Sequence, residues 1–353
     1  MAGDARAGRM TAAGSEDFVL GLVDVARAAA ADGPARTLTL CPAGVSVCVH
    51  LAGAELIDRL APGLLEGSVD GERPAIELWA FDGVGTGRSA PRPPWGPRDY
   101  LQREEIAGWT QPPHLASYSS DYATLSVAGT DAGLGVQWLR DAAVMAPWEG
   151  GAPLRSILRW TLARHGAHLI HAAAVGTGTD GVLLLGSGGA GKSTTALACL
   201  QAGMALVSDD YTLVRPGPVP TAHPAFAIAK AGPASLELLG GGLDARAAGA
   251  RLDWRGKRRL PIADVVCEAL ALRAVVLPRV APRTGAAVPA DGREALRTVA
   301  VSTLLQLPGD SATTLTVLRE LLATLPVYTL DVGPDVAAIP EAIGALIDAE
   351  AAA

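Results

Sequence analysis

Apolar positions in this chain fall in short runs. Residues 16–31 set Phe18, Leu20, Leu22, Val23 and Val25 among small and polar residues and read as a helix, which Asp32-Gly33-Pro34 stops. Segments 36–40 and 45–51 alternate around Pro42-Ala43-Gly44 and predict a hairpin. A helix is expected over 54–65 and a strand over 75–81. Residues 82–120 carry six prolines and several glycines and read as a long irregular stretch, a substrate-binding or mobile segment. Within it, Gly83-Val84-Gly85-Thr86-Gly87 looks like a nucleotide loop, but no helical pattern follows, so it is read as a plain loop. Segments 122–127 and 135–139 read as strands, and 153–165 as a helix with Leu154, Ile157, Leu158, Trp160 and Leu162 available for burial.

From residue 168 the pattern becomes α/β. Strands are expected over 169–175, 181–185, 205–208, 273–277 and 327–331, with 211–214 extended and 216–224 a loop. Helices are expected over 194–200, 303–307, 314–325 and 337–347. The change of pattern places a boundary near Gly150, between an α+β N-terminal domain (1–150) and an α/β domain (151–353). The first domain shows no catalytic constellation, which leaves it scaffolding or the recognition of a substrate or partner.

Composition narrows the classes. The 353 residues carry a net charge of −7, which argues against a nucleic-acid binder working by general attraction. No uninterrupted apolar run approaches the length of a membrane span. Residues 1–14 lack an apolar signal core and read as a disordered lead-in. The four cysteines, Cys41, Cys48, Cys199 and Cys267, show no C-x-x-C spacing, which fits buried thiols in a reducing cytoplasm. Oligomerisation stays open.

The chemistry is carried by Gly186-Ser187-Gly188-Gly189-Ala190-Gly191-Lys192-Ser193, which fits G-x-x-x-x-G-K-[ST]. Glycines let backbone N–H groups converge on phosphate oxygens. Lys192 would reach the β- and γ-phosphates and the Ser193 hydroxyl a Mg²⁺ ion. An apolar run over 181–185 precedes the loop, and a helical pattern from Thr194 follows, so the order is strand, loop, helix. The nucleotide set is therefore this loop with Thr194, and the ligand ATP with Mg²⁺.

Asp209-Asp210 follows the apolar strand Ala205-Leu206-Val207, and Asp210 lies eighteen positions after Lys192. Carboxylates there suit a second metal contact, and two adjacent ones on an extended backbone point in different directions. His171, in Ile170-His171-Ala172-Ala173, lies in the strand before the loop strand. The run Arg255-Gly256-Lys257-Arg258-Arg259 reads either as a solvated charged loop or, through Lys257 and Arg258, as a clamp on phosphate or an acidic peptide; Lys230 is a weaker candidate of that kind.

Together, His171-Ala172-Ala173-Ala174-Val175, the glycine loop and Leu206-Val207-Ser208-Asp209-Asp210 resemble the HPr kinase/phosphorylase family in order and interval. The "HAAAV" form and Leu325-Pro326-Val327-Tyr328-Thr329-Leu330 resemble more closely the HPr-kinase-related proteins of ribosomal peptide systems, including lasso-peptide precursor kinases. The specific match spans about residues 169–214. The resemblance implies an HPr-kinase/carboxykinase-like catalytic domain. It implies Asp210 as the base that takes the serine proton, Asp209 near the metal, and His171 beside the phosphates or the base. Thr194 stands where bifunctional members carry an acidic residue, and the downstream Gly-Arg-Asn signature is absent. Both departures weigh against phosphorolysis and against HPr as acceptor. A further metal carboxylate has only Glu237 as a counterpart.

The expectation is an ATP-dependent kinase acting on a hydroxyl, foremost a serine of a peptide or small protein. A small-molecule hydroxyl kinase, a carboxykinase-like enzyme and a non-catalytic nucleotide-binding regulator remain alternatives.

Overall fold

The computed structural model describes residues 12–68, 71, 73–247, 251–253 and 255–352; most of the expected lead-in lies outside them. The fold is mixed α/β, built on two large sheets.

The first sheet holds β1 (Ala35–Leu40), β2 (Val47–Ala52), β3 (Ile76–Asp82), β4 (Glu105–Gln111), β5 (His114–Ser119), β6 (Thr124–Gly129) and β7 (Leu134–Leu139), in the order β1-β2-β3-β7-β6-β5-β4. β1 and β2 form the expected hairpin, β2, β3 and β7 run parallel, and β7 through β4 meander antiparallel. Helix α1 (Ala12–Asp32) buries Phe18, Val19, Leu22 and Val23 on one face, with Trp95 and Trp109. Helix α2 (Ala54–Leu60) packs on the other; it ends earlier than expected because Pro62 cannot continue it, and a 3₁₀ turn follows.

The stretch 82–120 is less irregular than its composition suggests. Asp82 caps a one-turn helix, α3 (Gly83–Thr86), on the Val84 N–H, and β4 and β5 complete the sheet edge. β4 hides from pattern reading because its register shifts between Glu105 and Thr110, with Gly108 at φ 79°.

Helix α4 (Arg155–Ala163) joins the two sheets. Ile157, Leu158, Trp160 and Leu162 share one apolar cluster with Leu56 and Leu78 of the first half and Leu169, Leu213 and Phe226 of the second. At about 25 cal/mol per Å² of apolar surface, such burial makes α4 a structural joint between the sheets.

The second sheet begins with β8 (His168–Ile170), β9 (Ala173–Thr177) and β10 (Asp180–Leu184). Helix α5 (Lys192–Gln201) leads to β11 (Ala205–Ser208), β12 (Thr212–Arg215) and β13 (Thr221–Pro224). The chain then leaves the sheet through β14 (Ile228–Ala231), α6 (Pro233–Leu239), α7 (Asp244–Ala247) and β15 (Arg258–Pro261). It returns as β16 (Leu270–Val280) and β17 (Val288–Pro289), passes α8 (Gly292–Gln306) and α9 (Ser311–Thr324), and ends with β18 (Val327–Val332) and α10 (Ala338–Ala351). The sheet order is β11-β9-β10-β16-β13-β12-β8, with β18 parallel to β16; β14 and β15 pair separately. α5 and α10 cover one face, and α8 and α9 the other. Strands covered on both faces read as continuous apolar runs, which explains why this half was the more legible.

Two expectations change here. The strand expected over 169–175 is two strands: β8 pairs with β12, β9 pairs with β10 and β11, and His171-Ala172 is the break between them. The segment read as a loop over 216–224 ends in β13, paired with β12 and β16.

Candidate active site

β10 runs into the glycine loop, and α5 starts at Lys192. Gly189 and Gly191 sit at φ 87° and 106°, a left-handed region that residues with a Cβ avoid. The loop thereby turns toward the first N–H groups of α5, where backbone donors and the helix dipole favour an anion. Lys192 is buried, and its Nζ is folded onto the loop, donating to Gly186 O at 2.7 Å and Ser187 O at 3.2 Å. Burial lowers its pKa, and the charges of Asp210 and Asp209 oppose that shift. Thr194 faces away from solvent, its hydroxyl 2.8 Å from that of Ser235 on α6.

The acidic pair sits in the tight connection between β11 and β12. The Ser208 and Thr212 hydroxyls bond each other, and Thr212 donates to Ala172 O at 2.9 Å. Thr212 is in register with Ile170, so β12 carries Asp210 alongside the β8–β9 break. There His171 Nε2 lies 3.3 Å from Asp210 Oδ1, while Lys230 Nζ donates to Asp210 Oδ2 at 2.6 Å. Burial pushes the Asp210 carboxyl up, but Lys230 and His171 outweigh it and hold the acid well below the usual carboxylate range. Lys230 responds in the opposite sense: burial lowers its pKa, and Asp210 raises it further than that. Burial lowers the pKa of His171, against the pull of Asp210.

Asp209 is 1% exposed. Its Oδ2 accepts the Lys230 backbone N–H at 2.7 Å, but Oδ1 is buried without a hydrogen-bond partner among the described residues. Burial first, then the charge of Asp210, raises its pKa; the Lys230 N–H and the nearby Ser193 hydroxyl counter this. A buried carboxylate oxygen left without a donor beside a serine hydroxyl suits a small hard cation. The chemistry of Ser193 and Asp209 would therefore suit a Mg²⁺ ion.

One cleft of about 680 Å³ is lined by most of these groups, though not by the buried Asp209. It brings together His171, Lys192, Ser193, Thr194 and Asp210, and adds Lys257 from the basic loop. Asp253 shapes that loop by accepting the Arg255 and Lys257 N–H groups, and Arg255 Nη1 would lie 3.6 Å from a Cβ placed on Gly188. Of the sequence candidates, Gly186, Ala190 and Asp209 do not line the cleft, and Glu237 and Arg258 point elsewhere. Glu237 is exposed on α6, whose Ala234, Ser235 and Leu238 line the cleft instead. Arg258 begins β15, where strand alternation turns it from Lys257, and it donates to Ala247 O at 3.1 Å.

Sequence reading missed several contributors. Arg103, Glu104 and Trp148, from the first 150 residues, line the cleft, as do Arg155, Tyr211 and Gln306, which are linked to His171. None stands in a motif, and only the packing of α4 and the end of α8 collects them. Lys230, read only as a weak clamp, is the ion-pair partner of Asp210.

No protein-family model matches this chain, and no curated protein does. Among solved structures the chain is similar to the HPr(Ser) kinase/phosphatase from Coxiella burnetii, with 13% identity over 52% of this chain and 91% of that one and a TM-score of 0.29, a distant likeness that concerns fold alone.

Proposed function

We propose that this chain transfers the γ-phosphate of ATP to a hydroxyl group, and that the acceptor is a serine of a peptide or small protein, of the ribosomal precursor kind rather than HPr. The observation that best supports this is the meeting in one cleft of Lys192, folded onto its own loop's carbonyls, with Asp210, next to which the buried Asp209 keeps one carboxylate oxygen without a partner among the described residues.

Each residue then has a role. Lys192 exchanges two carbonyl acceptors for phosphate oxygens, which form stronger charge-assisted bonds. Loop and α5 N–H groups hold the remaining phosphate charge. Ser193 and Asp209 hold Mg²⁺, which when bound neutralises charge on the β- and γ-phosphates. Asp210, kept ionised by Lys230 and His171, orients the acceptor hydroxyl and takes its proton. The new O–P bond forms as the bond to the bridging oxygen breaks, and ADP leaves with the electron pair. A weakly basic carboxylate suffices because phosphoryl transfer depends mainly on positioning and charge neutralisation. Lys257 contributes positive charge at the rim.

Arg103, Glu104 and Trp148 in the cleft wall support a role for the first 150 residues in recognising the acceptor. The resemblance of residues 169–214 to the HPr-kinase-related proteins supports the peptide class. No helix among the described residues is long and apolar enough to cross a membrane. The use of ATP proposed above calls for a cytoplasmic setting.

The test is phosphate transfer from labelled Mg-ATP by the full chain to peptide and metabolite panels, beside the Lys192→Ala variant. Transfer to serine peptides that disappears in the variant is the expected result. Equal turnover by the variant removes the glycine loop as the site, and transfer to metabolites alone removes the peptide acceptor.

A further inference from the structure

A chain of hydrogen bonds runs from α4 to the acidic pair, and its direction follows from its first member. Arg155 Nη1 donates to the Tyr211 hydroxyl at 2.9 Å. Arginine can only donate, so the Tyr211 oxygen accepts there and its proton must go elsewhere. It goes to Gln306 Oε1, at 3.0 Å. With the Gln306 oxygen so engaged, its amide nitrogen faces His171 Nδ1 at 3.3 Å. An amide nitrogen also only donates, so Nδ1 accepts. In a neutral imidazole the ring proton is then on Nε2, the atom 3.3 Å from Asp210 Oδ1.

The opposite arrangement fails at two points. A reversed Gln306 amide would leave the Tyr211 proton without its acceptor. It would also require a proton on Nδ1, leaving the bare Nε2 lone pair against an ionised carboxylate. Tyr211 is 3% exposed and His171 5%, so solvent does not repair either mismatch. Protonating both nitrogens is opposed by burial first, which outweighs the pull of Asp210 and is reinforced by the Lys192 and Lys230 ammonium groups.

We infer that Arg155, Tyr211 and Gln306 form a one-directional relay that locks His171 in the tautomer protonated on Nε2, with its N–H aimed at Asp210. Gln306 and Tyr211 are thus positioning residues for the acceptor site. The importance of this for phosphoryl transfer rests on the role proposed above for Asp210, whereas the tautomer itself does not. The three residues come from α4, the connection just before β12 and the last residue of α8. Arg103 fastens the end of α8 to the first sheet by donating to Leu304 O at 2.9 Å, and Arg159 fastens the following loop by donating to Pro308 O at 2.7 Å.

The experiment uses the full chain labelled with ¹⁵N-histidine. It contains six histidines, and the His171 signal is identified by its loss in His171→Gln. Long-range proton–nitrogen correlation reads which ring nitrogen carries the proton. The parent should show Nε2–H. Gln306→Glu offers only acceptors, so the proton should move to Nδ1 or occupy both nitrogens. Tyr211→Phe, which removes one oxygen and keeps the ring, should give a mixture of tautomers. In the transfer assay both variants should lower kcat by about 10- to 100-fold, the usual cost of losing a second-layer partner, with KM for ATP within about twofold of the parent. A parent His171 protonated on Nδ1, or an unchanged Nε2–H signature in both variants, overturns the relay. Absence of transfer by the parent to any acceptor overturns the proposed kinase activity instead, and the tautomer readout still decides the relay.

Discussion

Asp210→Asn separates loss of a base from loss of an ion pair. The Lys230 ammonium lies 2.6 Å from the carboxylate. At an effective dielectric of about 20 the bare attraction is about 6 kcal/mol, 332/(20 × 2.6), before desolvation offsets part of it. Removing one partner of a buried pair usually costs about 3–5 kcal/mol, because the survivor is left uncompensated. The Lys230 and Asp210 side chains are 12% and 22% exposed, so water relieves some of this and the low end applies. The single variant should therefore unfold about 3 kcal/mol more easily in urea than the parent. Transfer should fall by about 10²-fold or more, the scale of general-base loss, while ATP affinity measured by calorimetry changes little. Adding Lys230→Met removes the stranded ammonium. The double variant should recover most of the stability and none of the transfer. Parent-like turnover in Asp210→Asn would falsify the assignment of the base; recovery of turnover in the double variant would show that the single variant failed through charge imbalance.

Two other outcomes test the loop and the joint. Gly191→Ala meets only ordinary contacts, Val332 Cβ at 3.6 Å, so its cost is the left-handed backbone at φ 106°, about 1–2 kcal/mol. ATP affinity should drop about tenfold, and unchanged affinity by calorimetry would mean that the loop does not hold the phosphates in this conformation. Glu149 lies in the connection before α4, and burial raises its pKa against the pull of Arg155 and Gln137. Its folded-state pKa thus exceeds the unfolded one. The stability this contributes is fully present below the unfolded pKa and is lost as pH rises through the folded pKa. Glu149→Gln lacks that loss, so its melting temperature should gain on the parent's as pH rises from about 4 to about 8; a difference constant with pH contradicts the burial argument.

The second half was the readable half. Its strands are buried on both faces, so Asp180–Leu184 and Ala205–Ser208 stand out as apolar runs, and the glycine loop carries its chemistry within eight consecutive residues. The Asp209-Asp210 doublet was legible for the same reason: it ends such a strand. Local signals failed where geometry is made by pairing. β4 was lost among prolines because an edge strand with a register shift keeps no clean period. The break at His171 was invisible because it exists only through two strands choosing different partners, β12 and β10. Glu237 and Arg258 looked eligible by type and neighbourhood, but helix and strand geometry turned one to solvent and the other to Ala247 O.

Residue type and short spacing thus single out the glycine loop and the carboxylate pair as candidates, because a backbone cradle, a lysine and a hydroxyl must be neighbours in the chain to converge on one anion. The surroundings of those groups follow no such spacing. Lys230 reaches Asp210 from twenty positions away, Gln306 reaches His171 from 135, and Arg155 meets Tyr211 across 56. The first exists because β14 lays its backbone against Asp209, the other two because α4 packs between the sheets and α8 ends near it, and burial there turns ordinary polar side chains into partners that must be satisfied.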